Sequence, residues 1–396
     1  MFRKTRLFTP GPTPLLPAAQ FAMAAADMHH RTPEFRALYS KVLEQMKTFI
    51  GTQNDVILLT CSGSGAMEAS VSNLTSPDDE VLVLSAAKFG ERWAAIANAF
   101  KCRVTTVSKP YGQTFTLDDV TVQLRPTTKI VYMQATETST GARHDVQGVA
   151  KLLKGTDTLL VVDAITGLGT TALDVDGWGI DVIIGGSQKA LMIPPGLAYL
   201  AVSDRAWKRM ESSRQPRYYF DLPKERKSAA KGEASYTPPV ALIAALGAAL
   251  DHLTRQGGGD LARGRDLLIE NAETCAAMTR AAATALGLEL FAPDSPAVAV
   301  TAIKAPAGVS SDDVVKGLKS RFGAIIANGQ GDMKGQLFRI AHLGYFDYLD
   351  TIALIGALEQ VMSAITPGKF EFGDALRAAQ TVFAERTHNL AVPQPA

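Results

Sequence analysis

Leu159-Leu160-Val161-Val162-Asp163 closes a purely aliphatic run on one carboxylate, and Val182-Ile183-Ile184-Gly185-Gly186-Ser187-Gln188-Lys189-Ala190 repeats the pattern with a lysine just beyond its end. A strand covered on both faces has no polar side to alternate with, so continuous Val/Ile/Leu runs of this length read as buried parallel strands. Working outward, the same texture recurs at Val56–Thr60, Val81–Ser85, Val104–Val107 and Ile130–Gln134 before these segments and at Leu197–Val202 after them. Helical spacing of apolar residues fills most of the intervals, as in Glu91–Phe100 and Val146–Lys154. Strand and helix in alternation predict an α/β fold, a mostly parallel sheet with helices on both faces.

Beyond residue 205 the texture changes. A charged, turn-rich stretch, Arg214–Gly232, leads to two long helix candidates, Val240–Arg255 and Asp260–Leu286. Then come Ala297–Ile303, Ser311–Phe322, Ala324–Ile326, Leu337–His342 and Tyr348–Ile365, a β-α-β-β-α order that suits a small α+β domain. The expected division is therefore 1–255 for an N-terminal segment plus large domain and 256–396 for a smaller C-terminal domain. From Thr366 a modest amphipathic helix, Asp374–Arg386, precedes a Pro-containing tail with no assigned role.

The chain of 396 residues is long enough for two or three domains, and 46% hydrophobic with 20% charged residues is ordinary for a folded protein. Forty Lys+Arg against 39 Asp+Glu leave a net charge of +1, so no global field draws nucleic acid or an anionic membrane. The longest strongly apolar stretch, around Val240–Leu250, is interrupted by Gly247, and no transmembrane helix is expected. Residues 1–4 are basic but run into Thr9-Pro10-Gly11-Pro12-Thr13-Pro14 without an apolar signal core, which points to a cytoplasmic protein. Cys61, Cys102 and Cys275 have neither disulfide nor zinc spacing. The adjacent His29, His30 and Arg31 do not share a helix face, and no metal site is expected.

Three elements carry chemistry. Ser62-Gly63-Ser64-Gly65-Ala66-Met67-Glu68 follows a strand and opens a helix, leaving backbone N–H groups free to hold an anion. It is neither a Walker A loop nor a strict G-x-G-x-x-G, and alone it reads equally well as a tight strand-to-helix turn. Asp163 ends a buried parallel strand, where open α/β sheets place their ligands, though alone it is as readily a helix cap. Lys189 stands in a small-residue turn at the same sheet end, where desolvation lowers an amine's pKa and makes it a nucleophile for carbonyls. Phosphate cradle, buried acid and desolvated lysine together are what pyridoxal 5'-phosphate requires: the phosphate at Ser64, Gly65 and Ala66, the aldehyde at Lys189, the ring nitrogen at Asp163.

The chain resembles the class V aminotransferases of the type I pyridoxal-phosphate fold, in particular the alanine/serine–glyoxylate (serine–pyruvate) branch. The likeness covers about residues 7–365. It rests on Phe8-Thr9-Pro10-Gly11-Pro12-Thr13-Pro14, His30-Arg31-Thr32-Pro33-Glu34-Phe35, Ser62–Glu68, Glu137-Thr138-Ser139-Thr140-Gly141, Val162-Asp163-Ala164, Gly186-Ser187-Gln188-Lys189-Ala190-Leu191, Pro194-Pro195-Gly196, Tyr236-Thr237-Pro238 and Leu337-Phe338-Arg339-Ile340. The resemblance implies that Lys189 binds the cofactor and moves the substrate proton, and that Asp163 pairs with the pyridinium. Ser139 would bond near the ring oxygen, and Gln188 would join Ser64 and Gly65 at the phosphate. Thr237 would reach that phosphate from the second subunit of a homodimer. Arg339 would clamp the substrate carboxylate through two parallel donors. Phe89, in Lys88-Phe89-Gly90-Glu91-Arg92, replaces the tryptophan of many relatives as the ring-stacking residue or is ordinary core. Gly11 would lie against the substrate or serve only its turn.

The implied activity is transfer of an amino group from alanine or serine to glyoxylate or pyruvate by a ping-pong mechanism. The glycine-rich loop lacks a histidine that some glyoxylate-specific relatives insert, so their substrate assignment does not carry over. Other donors such as 2-aminoethylphosphonate or aspartate, and a non-catalytic pyridoxal-phosphate-binding protein, are the alternatives. A cysteine desulfurase would need a mobile-loop cysteine, and none follows Cys275.

Overall fold

The computed structural model describes residues 3–387. Its centre is a seven-stranded sheet in the order Asp55–Leu59, Ala198–Val202, Val182–Gly186, Leu159–Asp163, Ile130–Gln134, Glu80–Ser85, Arg103–Ser108. Side chains alternate between its faces, as the pleat requires. Leu58, Leu82, Leu84, Val131, Met133, Leu160, Val162 and Ile183 pack with the helices Pro33–Ile50, Val146–Leu153 and Val240–Gln256. Ile57, Leu59, Val81, Val83, Ile130, Tyr132, Val161 and Ile184 pack with Gly63–Leu74, Lys88–Ala99 and Asp204–Glu211. Both faces are dry, which is why these strands carry no polar alternation.

The sheet is parallel except at Ala198–Val202, which runs antiparallel to both of its neighbours. That corrects the reading of this segment as one more parallel strand. The link Ser187–Leu197 contains no helix, and a parallel return needs a crossover of about a dozen residues or more, so the chain turns straight back. The parallel strands end at one edge, and the strand Asp55–Leu59, which leads into the glycine-rich turn, ends there too.

A second, antiparallel sheet orders Val300–Lys304, Leu337–Ala341 and Ala327–Asn328. The helices Leu261–Ala285, Ser311–Phe322 and Tyr348–Ile365 supply Cys275, Met278, Leu318, Leu354, Ile355, Leu358 and Val361 to its core. The single strand expected at Ala324–Ile326 is two short pieces. Ala327–Asn328 joins this sheet, whereas Ala324–Ile325 pairs in parallel with the N-terminal strand Arg6–Leu7. Phe8 follows it into the same core, edge-on to Phe346 with ring centroids 5.4 Å apart. Residues 6–8 therefore pack with the second sheet and not with the unit 1–255 to which sequence assigned them, because Phe8 is apolar and its burial lies there. The helix Tyr348–Ile365 is long and apolar enough to cross a membrane by length and composition, and its apolar residues line this core. The helix Asp374–Thr387 begins on Glu359, whose carboxylate accepts the N–H groups of Gly373, Ala375 and Leu376. Residues 388–396 of the expected tail lie outside the described residues.

Candidate active site

Lys189 occupies the turn after Val182–Gly186. The turn is fixed from within, since Ser187 Oγ donates to the Pro194 carbonyl at 2.7 Å and accepts the Leu197 N–H at 3.3 Å. It is fixed from outside by the N-terminal segment: Thr13 N donates to the Gln188 carbonyl at 3.2 Å and Thr13 Oγ1 to the Lys189 carbonyl at 3.0 Å. The Lys189 ammonium donates to the Pro10 carbonyl. Gly11 between them has φ +136°, and a Cβ there would come within 2.8 Å of Lys189 Cε and 2.9 Å of Cδ. No side chain fits, so Gly11 is what lets the backbone lie on the lysine. Burial pushes the Lys189 amine down to about 8, against the pull of Asp163 and with the push of Arg339.

Asp163 is buried at the end of its strand, paired in register with Gln134 on one side and Ile184 on the other. One carboxylate oxygen accepts the Ile165 N–H at 2.9 Å. Burial raises its pKa to about 6, opposed by that bond and by the charges of Lys189 and Arg92. The Gln134 amide beside it is buried without a hydrogen-bond partner.

The glycine-rich turn opens the helix Gly63–Leu74, and Ser62 makes no side-chain cap, so the first turn's N–H groups remain available. Gly65 is closely packed, since a Cβ would lie 2.7 Å from Cys61 Cβ and 3.0 Å from Phe220 Cζ. Ala66 is wholly buried in the sheet core. Ser64 is partly exposed, and its hydroxyl accepts from Arg92 Nη1 at 3.0 Å. Gln188 is partly exposed with a buried, unpartnered Oε1.

Phe89 is partly exposed and belongs to none of the core clusters, which removes the ordinary-core reading. The Arg92 guanidinium lies 4.9 Å from its ring centroid. Glu137 holds this region together: its buried carboxylate accepts Phe89 N at 3.0 Å, Gly90 N at 3.2 Å, Ser139 N at 3.2 Å and the Ser139 hydroxyl. The Ser139 proton is thus committed to Glu137, and only its oxygen lone pairs are left for another donor. Burial raises the Glu137 pKa, with the four hydrogen bonds acting against it.

Arg339 reaches this group from the second sheet. Its guanidinium donates to the Asn328 carbonyl from Nε at 3.1 Å and Nη2 at 2.6 Å, and to the Thr138 carbonyl from Nη1 at 2.9 Å. Its pKa is pulled down to about 10 by burial, with Glu137 opposing. Thr237 stands apart, exposed ahead of the helix Val240–Gln256, with no hydrogen bond to the others within one chain. Among the described residues no three His, Cys, Asp or Glu side chains converge on a metal position, His29 to Arg31 included.

Sequence alone did not single out Arg92 or Glu137, though both stood inside quoted segments. Arg92 follows Phe89 by three positions on a helix, so a shared face was legible. Glu137 was not marked, since two of its partners, Phe89 and Gly90, come from a different helix.

An uncapped helix start beside a cation suits a phosphate, a buried acid suits a ring nitrogen, and a desolvated amine suits an aldehyde. The residues present fit pyridoxal phosphate. The parallel sheet with these groups at its carboxyl edge is the type I fold of pyridoxal-phosphate-dependent transferases. The aminotransferase class-V family model matches residues 18–332, and the chain belongs to that family. It is 37% identical to a protein from a Synechococcus strain named soluble hydrogenase, small subunit, over 96% of this chain and 99% of that one. It is 30% identical to an L-aspartate–glyoxylate aminotransferase of Paracoccus denitrificans, over 98% of each. A subgroup IV aspartate aminotransferase structure from Thermus thermophilus superposes with TM-score 0.84 at 32% identity, over 91% of this chain and 99% of that one.

Proposed function

We propose that this chain is a pyridoxal 5'-phosphate-dependent aminotransferase that moves an amino group from a small amino acid, such as alanine or serine, to a small 2-oxo acid, glyoxylate or pyruvate. The observation that carries the reading is Lys189: a buried amine set between the charges of Asp163 and Arg339 and pressed against Gly11. The Paracoccus relative's name supports glyoxylate as acceptor. The Synechococcus relative's name describes that protein, and the donor residues that a metal-based activity would need do not cluster among the described residues here.

When bound, pyridoxal phosphate supplies an aldehyde and a protonated ring that draws electrons from the substrate α-carbon. Lys189 binds that aldehyde and carries the α-proton. Asp163, kept ionised by Lys189 and Arg92 against its burial, holds the proton on the ring nitrogen. Ser64, Gly65, Ala66 and Gln188 would hold the phosphate, Phe89 would support the ring, and Ser139, its proton given to Glu137, would offer the ring hydroxyl an acceptor. Arg339 orients the substrate carboxylate while Gly11 leaves it room. Thr237 completes the phosphate site of a second subunit in a homodimer. In support, Thr237 is exposed next to an aromatic group in which Tyr236 stacks on Tyr219 at 5.0 Å and Tyr218 is 79% exposed. We read the enzyme as cytoplasmic, in keeping with its three free cysteines.

The test is borohydride reduction of the protein with its cofactor. Reduced wild type should keep the cofactor covalently attached at Lys189, unreduced wild type should transaminate, and Lys189→Ala should do neither. Retained turnover in that variant would refute the assignment. A panel of amino donors against glyoxylate, pyruvate and 2-oxoglutarate then fixes the substrates.

A further inference from the structure

Arg92 stands on the helix Lys88–Ala99, three positions after Phe89, with its side chain lying back over the Phe89 ring at 4.9 Å. Its Nη1 donates to Ser64 Oγ at 3.0 Å, which brings the guanidinium to the uncapped start of the helix Gly63–Leu74. Two neighbours on its helix are already committed, Lys88 to Glu91 at 3.0 Å and Glu91 to Tyr111. Among the described residues no carboxylate lies within ion-pair distance of Arg92. Resting on the pyridoxal-phosphate reading of this site, we infer that Arg92 is a phosphate ligand, the cation that completes the Ser64-Gly65-Ala66 cradle.

The charge balance calls for such a group. A helix N-terminus offers the equivalent of about half a positive charge, against close to two negative charges on a phosphate monoester at neutral pH. The segment Ser62–Glu68 has no cation of its own, and its only charged residue is Glu68. A guanidinium adds a full charge with a planar fork of donors matched to phosphate oxygens. Stacking on Phe89 orients that fork. One helix would thus serve two parts of the cofactor, its ring through Phe89 and its phosphate through Arg92.

Pyridoxal, which has the ring and aldehyde but no phosphate, separates this role from others. Equilibrium binding of pyridoxal phosphate and of pyridoxal is followed by visible absorbance in wild type, Arg92→Ala and Arg92→Lys, each stripped of cofactor, with inorganic phosphate as competitor. Arg92→Ala should weaken pyridoxal phosphate by about ten- to a hundredfold, the range for a charge-assisted hydrogen bond, and leave pyridoxal unchanged. Inorganic phosphate should compete less well in that variant, and Arg92→Lys should recover part of the loss. Equal losses for both ligands, or none for either, would overturn the assignment. So would unchanged cofactor affinity with a raised KM confined to dicarboxylate substrates, which would make Arg92 a substrate residue. Wild type that binds neither compound would instead bring down the cofactor reading itself.

Discussion

At the scale of single residues, the site depends on two groups displaced toward each other on the pH axis. Lys189 titrates near 8 and Asp163 near 6, so at pH 7 the acid is mostly ionised while a useful fraction of the amine is neutral. Only the neutral amine attacks an aldehyde, so the rate of pyridoxal-phosphate capture by cofactor-free protein should rise with pH to a midpoint near 8. Asp163→Asn removes the charge that holds the Lys189 pKa up, and the midpoint should move to lower pH in stopped-flow absorbance. Stability has its own signature. Asp163 has a folded pKa above its unfolded value of 3.8, so its protonated form stabilises the fold below pH 4 and that contribution is lost as pH rises to about 6. Thermal melts of cofactor-free protein should show wild type losing ground to Asp163→Asn across that window. Lys189 and Asp163 stood out in the sequence because a lysine and a carboxylate are costly at the end of a buried strand, whereas Gly11 and Arg339 were singled out through the family resemblance. Glu137 was not, because its partners Phe89 and Gly90 reach it only in three dimensions.

At the scale of elements, two side chains act as fasteners. Arg339, on the strand Leu337–Ala341, holds the Asn328 and Thr138 carbonyls, so its truncation both opens the substrate position and leaves buried acceptors unpaired. Arg339→Ala should raise KM for every carboxylate substrate with cofactor retained, and should cost about 1–3 kcal/mol in denaturant unfolding. Glu359→Ala removes the acceptor for three N–H groups at the head of Asp374–Thr387. A lost helix cap costs about 1 kcal/mol, and hydrogen exchange should rise in that helix while transamination is kept. Most strands of the large sheet were readable because burial on both faces writes itself into continuous aliphatic runs. The direction of Ala198–Val202 was not, since a doubly buried strand has the same composition in either orientation. The division at Ala324–Asn328 was also hidden, because the partner of its first half is Arg6–Leu7.

For the whole molecule, the proposed homodimer makes cofactor retention depend on association. Sedimentation velocity should give a dimer at working concentration, and dilution toward monomer should release pyridoxal phosphate; Thr237→Ala should weaken retention in the dimer without dissociating it. An active monomer would exclude this arrangement. A net charge of +1 bears only on which partners the chain has no field to attract. The structure brings positive charge together locally, with Lys189 and Arg92 acting on Asp163 and Arg339 acting on Lys189.

The pairing of Arg6–Leu7 with Ala324–Ile325 also orders events in time. Synthesis reaches Arg6 and Leu7 more than three hundred residues before the strand that pairs with them. Domains generally fold as units as they leave the ribosome. The sheet bearing Asp163 and Lys189 can therefore assemble before its N-terminal cover is in place. The contact of Arg6–Leu7 with the second sheet is then among the last of the newborn chain to form, and a chain cut short before residue 324 would hold its N-terminal segment on the Lys189 turn through contacts such as those of Thr13 alone.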